Sequence, residues 1–235
     1  MARQYTRSVY VSPDVEFCLR DGAYSVRAKA DLGAGTLVLV EHAFAGTPRE
    51  LHALLFLADA LRRALHPRTD GDAAMDSEKN GEKISMNAFD FDGDTVIGDR
   101  ICKFNHSCKP NAYLTWVDRV ACAASPGVNF YGAWTVARVK SGDELTLDYT
   151  NGSADQEQHD ANREKHGVVC SCTERAVRGA SARAAIELDL ATKFTREHKP
   201  FITALVNTYL DRWGPKMRAA HAEVREFARK NIRVE

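Results

Sequence analysis

The chain lacks a surplus of charge of either sign: 32 lysines and arginines stand against 32 aspartates and glutamates in 235 residues. That balance excludes bulk capture by DNA or by an anionic membrane, which needs a basic excess or a clustered basic face, so no direct nucleic-acid partner is expected. No uncharged apolar run reaches the length of a membrane helix, and the opening MARQYTRSVYVSPD has no apolar core of secretory type. The expectation is a soluble intracellular protein, cytoplasmic or nuclear, without a membrane partner. Cysteine is also scarce. Cys18, Cys102, Cys108, Cys122, Cys170 and Cys172 are too few for a disulfide-stapled scaffold of this size. No internal repeat is present.

What is present is a globular composition, 44% hydrophobic, long enough to bury a core of ordinary size. Residues up to about 45 read as strands. Tyr24 to Ala30 alternates apolar with polar, Gly33-Ala-Gly35 makes a turn, and Thr36-Leu-Val-Leu-Val40 suits a buried strand. A helix follows: Thr47 as N-cap, Pro48 at the first position and Glu50 at the third form a capping box. Leu51, Leu54, Leu55, Ala58, Leu61 and Leu65 then recur at helical spacing until His66-Pro67. Arg68 to Lys83 has no large aliphatic residue and reads as a mobile loop. Strand signals return from Ile84 to about Tyr149, punctuated by Asp92-Gly93-Asp94, Lys109-Pro110-Asn111, Ser125-Pro126-Gly127 and Ser141-Gly142-Asp143. The final third carries three helical stripes, broken at Lys199-Pro200 and Gly214-Pro215.

Chemistry concentrates in three segments. Phe104-Asn-His-Ser-Cys-Lys-Pro-Asn-Ala112 packs donors and acceptors into a stretch that cannot all face one way, and Pro110 restricts Lys109 to extended backbone. By itself it is either part of a Cys/His nucleophile site or a satisfied polar turn with a buried cysteine. The second segment, Ser141-Gly-Asp-Glu-Leu-Thr-Leu-Asp-Tyr149, is a glycine turn leading into a strand that ends in tyrosine. The third is Cys170-Ser-Cys172, whose spacing is awkward for a mutual disulfide and suits two thiolates on one metal ion.

In this order the segments resemble the SET-domain methyltransferase family. Asn105 to Asn111 is similar to its Asn-His-Ser-Cys-x-Pro-Asn motif, and Gly142 to Tyr149 to its Gly-Glu-Glu-Leu-Thr-x-x-Tyr motif. Leu32 to Glu41 resembles the family's early strand pair, and Asn87-Ala-Phe89 an Asn-x-Phe element of the SET-and-MYND branch, with no MYND finger. The resemblance spans roughly residues 8 to 175. It implies an α+β fold: β-rich, of small sheets with a pseudoknot, in which the chain after Tyr149 threads past the Asn105 loop. The implied organisation is a SET domain over residues 1–178, with a helical insert at about 47–86 and a post-SET segment at about 150–178, then a helical extension over 179–235.

The resemblance also implies a reaction, methyl transfer from S-adenosylmethionine to an amine, most often a protein lysine. Such an amine, with a reference pKa of about 10.4, must lose a proton before it attacks, and a dry channel favours the neutral form. Tyr149 would line that channel as the catalytic residue and also touch the cofactor, while Asn105, His106 and Asn87 would hold the cofactor. The family's Gly-x-Gly cofactor loop is reduced here to Arg20-Asp-Gly-Ala-Tyr-Ser-Val26, leaving Gly22, Ala23 and Tyr24 as the corresponding contacts, with side chains where glycine normally permits close approach. The family's zinc cluster maps onto Cys108, Cys170 and Cys172, one ligand short of a closed site, with His159 or His166 as candidate fourth ligands. The helical tail reads as core packing, or as one wall of the substrate cleft. Two further readings stay open: an altered enzyme acting on a small molecule, and a non-catalytic interaction module.

Overall fold

The computed structural model describes residues 5–20, 23–58, 81–91 without 82 and 85, 94–117, 129–149, 164 and 180–232. The strands form two sheets. The larger sheet holds β1 (Arg7–Val11), β4 (Leu37–Gly46), β5 (Phe89–Phe91), β6 (Asp94–Ile97), β8 (Ala112–Trp116) and β9 (Asn129–Thr135) in the order β5-β6-β4-β9-β8, with β1 also on β4. The smaller one holds β2 (Val15–Arg20), β3 (Ala23–Ala28), β10 (Glu144–Leu147) and β7 (Asn105–His106), in that order.

Strand β4 is the axis of the molecule. All ten of its residues are buried, as befits an apolar run covered on both faces. Along one edge it pairs first with β1 and then with β6, and along the other with β9. Past a register irregularity between Leu37 and Leu39, its side chains alternate. Leu39, Ala43 and Ala45 join a core with Val26, Phe104, Leu145 and Leu147, against which Tyr149 packs. Val40 and Phe44 point the other way, into clusters shared with the C-terminal helices.

Helix α1 (Pro48–Leu57) begins as its sequence dictates. The Thr47 hydroxyl accepts from the Glu50 N–H at 3.3 Å, and Glu50 Oε2 accepts from the Thr47 N–H at 2.9 Å. It ends at Leu57 with Ala58 as its C-cap, earlier than the periodicity predicts; Leu61 and Leu65 lie outside the described residues, as does most of the expected loop from Arg68 to Lys83. Two expectations here are corrected. Gly81 and Lys83 are helical rather than looped, and Ile84, Met86 and Asn87 are helical where strand was expected. The reason is burial: Lys83 and Asn87 are almost fully enclosed, and the Asn87 side-chain amide donates to the Lys83 carbonyl at 2.8 Å, one helical turn back. Strand begins only at Phe89.

The tail forms two helices, α2 (Ala180–Glu197) and α3 (Lys199–Asn231), not three. Pro215 lacks the N–H for its turn, a loss of about 3 kcal/mol in a helix interior. The buried stripe overrides it, because Ile202, Val206, Tyr209, Met217, Ala220 and Val224 keep one helical phase through Gly214-Pro215 and all face the core. These helices cover the face of the large sheet opposite Tyr149, where Ile202, Val206 and Tyr209 meet Val40, Phe130 and Trp134. Their buried residues pack on that face of the sheet. No helix among the described residues is long and apolar enough to cross a membrane.

Candidate active site

The two long motifs meet through backbone. Strand β7 runs parallel to β10, Asn105 beside Thr146 and His106 beside Leu147, and the Ser107 N–H donates to the Leu147 carbonyl at 2.9 Å. Since successive residues of a strand alternate sides, the N–H and C=O of His106 point away from β10. Asn111 closes the loop with both ends of its amide. Its Nδ2 donates to the Glu144 carbonyl at 2.8 Å, and its Oδ1 accepts from the Thr146 N–H at 2.9 Å. Proline at position 110 and an Asn that mimics a strand partner make this a rigid crossing of two segments. The chain after Tyr149, whose threading past Asn105 the resemblance implies, lies outside the described residues.

Tyr149 sits at that crossing. Its hydroxyl donates a short hydrogen bond to the Phe104 carbonyl. Its backbone N–H donates to His106 Nδ1 at 3.1 Å. The ring stands edge-on to Phe89 at 5.4 Å and tilted against His106 at 5.5 Å. Burial, reinforced by Cys102 and Glu144, pushes the phenol far above its ordinary pKa and keeps it protonated. A phenol hydroxyl both donates and accepts, the chemistry needed to orient an N–H.

His106 links the crossing to Cys108. Because Nδ1 accepts from Tyr149, the ring proton belongs on Nε2, which lies 3.1 Å from Cys108 Sγ and donates to it. Asp148 Oδ1 is 3.8 Å from Nδ1. In this tautomer the His106 ring bridges Tyr149 and Cys108, which makes the Asn105–Cys108 stretch a hydrogen-bonded polar turn. Among the described residues no group of three His, Cys, Asp or Glu could hold a metal ion; Cys170, Cys172, His159 and His166 lie outside them, and so does Cys122. Cys18 and Cys102 are partly buried and stand outside any disulfide.

The expected cofactor residues divide. Asn105 is exposed, and its amide nitrogen donates to the Tyr24 carbonyl at 2.8 Å and to Glu144 Oε1 at 2.6 Å, tying β3 to β10. The Tyr24 ring carries the Lys103 ammonium 4.8 Å from its centroid, so Tyr24, Asn105, His106 and Tyr149 form one neighbourhood. Asn87 is engaged with Lys83, while Phe89, two residues on, is the part of its element that reaches Tyr149. Gly22 lies outside the described residues, and Ala23 is described in its backbone alone, as the first residue of β3. For S-adenosylmethionine these residues fit in part: the outward backbone groups of His106 suit the edge of a heterocycle, and the Tyr149 hydroxyl suits the reacting end.

Sequence reasoning missed Glu41, Lys103, Phe104, Asn111 and Glu144 as parts of this site. Asn111 and Glu144 were visible as motif positions. Glu41 was visible as a single acid inside the apolar run of β4.

Two sheets crossed in this way, with an Asn-His-Ser-Cys loop locked parallel to a strand that ends in tyrosine, define a SET-type scaffold. The chain belongs to the SET domain family, whose profile matches residues 23–150. It is similar to two SET domain-containing proteins of Acanthamoeba polyphaga mimivirus. One is 24% identical over 152 residues, covering 63% of this chain and 48% of the relative. The other is 31% identical over 94 residues, covering 39% and 32%. The chain thus spans about half the length of one curated relative and a third of the other. A solved Plasmodium falciparum protein named as a candidate histone methyltransferase superposes with a TM-score of 0.35 and 11% identity, covering 59% of this chain and 95% of that one. A likeness that loose carries no functional weight.

Proposed function

We propose that this SET domain transfers a methyl group from S-adenosylmethionine to an amine, in the first instance the side chain of a protein lysine. The observation that carries the reading is the placement of Tyr149. Its neutral hydroxyl is fixed by the Phe104 carbonyl inside the crossing of the two motifs, and a phenol oxygen is chemically suited to orient an amine N–H. The cofactor supplies the electrophilic methyl group. Everything left to the protein is positioning and charge environment. The Tyr149 oxygen aligns the amine, Phe89 and His106 exclude water from the ring's faces, and the His106 backbone and Asn105 frame the cofactor's side. Kinship to the SET-and-MYND branch rests on Asn87-Ala-Phe89 and belongs to this proposal.

The test is calorimetric titration with S-adenosylmethionine, followed by methyl transfer to a lysine-peptide library and to small amines. Micromolar binding with transfer to peptides is the expected result. No binding at millimolar cofactor would sink the reading, and transfer to small amines alone would replace the protein substrate by a small one.

A further inference from the structure

Glu41 is the only acid in β4 and is completely buried. Its carboxylate is spent on the main chain of one turn. Oε1 accepts from the N–H groups of Asp99 at 3.1 Å and Arg100 at 3.0 Å, and Oε2 from Arg100 at 3.1 Å and Ile101 at 2.8 Å. Gly98 makes this approach possible, since a Cβ there would stand 2.8 Å from Glu41 Oε2 and 2.8 Å from Ile101 Cγ1. The turn is braced from outside as well. Asp99 Oδ1 holds Lys103 Nζ at 2.9 Å, Lys103 lies over Tyr24, and Arg100 lies 4.6 Å over the ring of Phe17, which meets Phe104 edge-on at 6.1 Å. The next residues along the chain are Phe104, whose carbonyl holds Tyr149, and then Asn105 and His106.

We propose that Glu41 is a positioning residue for the segment Phe104–His106, acting through the Asp99–Ile101 turn, and that it thereby sets how well that segment holds the cofactor. The ligand part of this inference rests on the methyltransferase reading; the positioning part does not. A structural anchor alone would need no charge: burying a carboxylate costs several kcal/mol unless hydrogen bonds compensate, and all four of these contacts go to the turn that leads into the site. Protonation would turn one of the two accepting oxygens into a donor aimed at N–H groups. Burial first, then the Asp99 carboxylate, pushes Glu41 up to about 7, while the N–H groups of Ile101 and Arg100 pull it down. The other groups that feel its charge are Lys103 and Cys102 on the same turn and Tyr209 on α3. The grip of the segment therefore weakens as pH falls through about 7.

The test uses the full chain as wild type, Glu41→Gln and Gly98→Ala. Backbone amide exchange over residues 99–106 is measured alongside S-adenosylmethionine affinity at pH 6, 7 and 8. Glu41→Gln, which sets an amide N–H₂ against backbone donors, should speed exchange at 104–106 and weaken the cofactor about tenfold at pH 8. It should also abolish the pH dependence seen in the wild type. Gly98→Ala, which disturbs the same contacts from the other side, should act in the same direction, so a poorly folding Glu41→Gln leaves the idea exposed to refutation. Exchange at 104–106 and affinity both within twofold of wild type in the two variants would overturn it. So would a pH dependence that survives in Glu41→Gln. If the wild type binds no cofactor, the methyltransferase reading falls alone and the exchange result decides the role of Glu41.

Discussion

Replacing Tyr149 by phenylalanine removes one oxygen and leaves the ring against Phe89 and His106. The stability cost follows from the single bond lost. A hydrogen bond in this partly buried setting contributes about 1 kcal/mol net, and up to ~2 kcal/mol if the Phe104 carbonyl stays dry afterwards. For a chain of this length each kcal/mol lowers the melting temperature by about 2–4 °C, so a fall of ~2–8 °C is expected. The kinetic cost has a different origin. If the hydroxyl aligns the amine only in the transition state, turnover should fall about a hundredfold, equivalent to ~2.7 kcal/mol. Cofactor affinity should stay within about threefold, because the contacts of Asn105 and His106 with β3 and β10 do not pass through the phenol oxygen. Since the phenol stays protonated well above neutrality, the wild-type rate should show no phenolate limb between pH 7 and 9. Calorimetry and initial rates on one preparation decide the matter. Equal losses in turnover and affinity would mean that Tyr149 merely supports the pocket, and an unchanged turnover would remove it from the chemistry altogether.

Two further predictions concern the frame around the site. His42 is buried with neither ring nitrogen hydrogen-bonded, and burial, then the neighbouring His221, holds it well below its ordinary pKa. The unfolded chain therefore binds a proton below about pH 6.5 that the native state refuses, so stability is lost on acidification by at most ~1.4 kcal/mol per pH unit from this group. Glu41 acts oppositely between about 4.5 and 7, the native state keeping a proton that the unfolded chain gives up. Denaturant titrations from pH 7.5 to 5.5 should show His42→Leu losing less stability than wild type on acidification, and an identical slope would refute the assignment. Gly35 and Gly142 both have positive φ, but a Cβ at Gly35 would meet the Phe194 ring at 2.9 Å whereas Gly142 has open space. Gly142→Ala should cost about 1–2 kcal/mol for backbone conformation alone. Gly35→Ala should cost ~1–3 kcal/mol more for the forced contact with α2, measured by the same titrations.

Much of the frame was legible because its signals are local. The Thr47–Glu50 capping box needs only four residues, and the apolar run from Leu37 to Val40 announces a buried strand by composition alone. The break expected at Gly214-Pro215 failed for a reason also present in the sequence. Tyr209, Met217, Ala220 and Val224 keep phase across it, and a buried stripe outweighs one missing backbone bond. Similarly, Lys83 reads as a loop residue and Asn87 as a strand residue until the cluster around Ile84 and Ala88 encloses them, and enclosure forces their backbone groups into a helix.

The site was legible as strings and not as an assembly. The motifs around Asn105 and Tyr149 could be read, yet they are joined by a parallel pair two residues long, Asn105 with Thr146 and His106 with Leu147, and by a hydrogen bond between Tyr149 and His106, 43 positions apart. A pairing that short has no periodicity to detect, and the tautomer of His106 depends on it entirely. Glu41 shows the same limit from the other side. An acid inside ten buried residues signals a partner, but its partners are the N–H groups of Asp99, Arg100 and Ile101, and a backbone N–H carries no residue identity. Where a site is held by main chain, the sequence displays the group that needs a partner and hides the partner. The buried charge is therefore the place to look for what positions the motif, which is why Glu41 is the more informative target for mutation than the exposed Asn105.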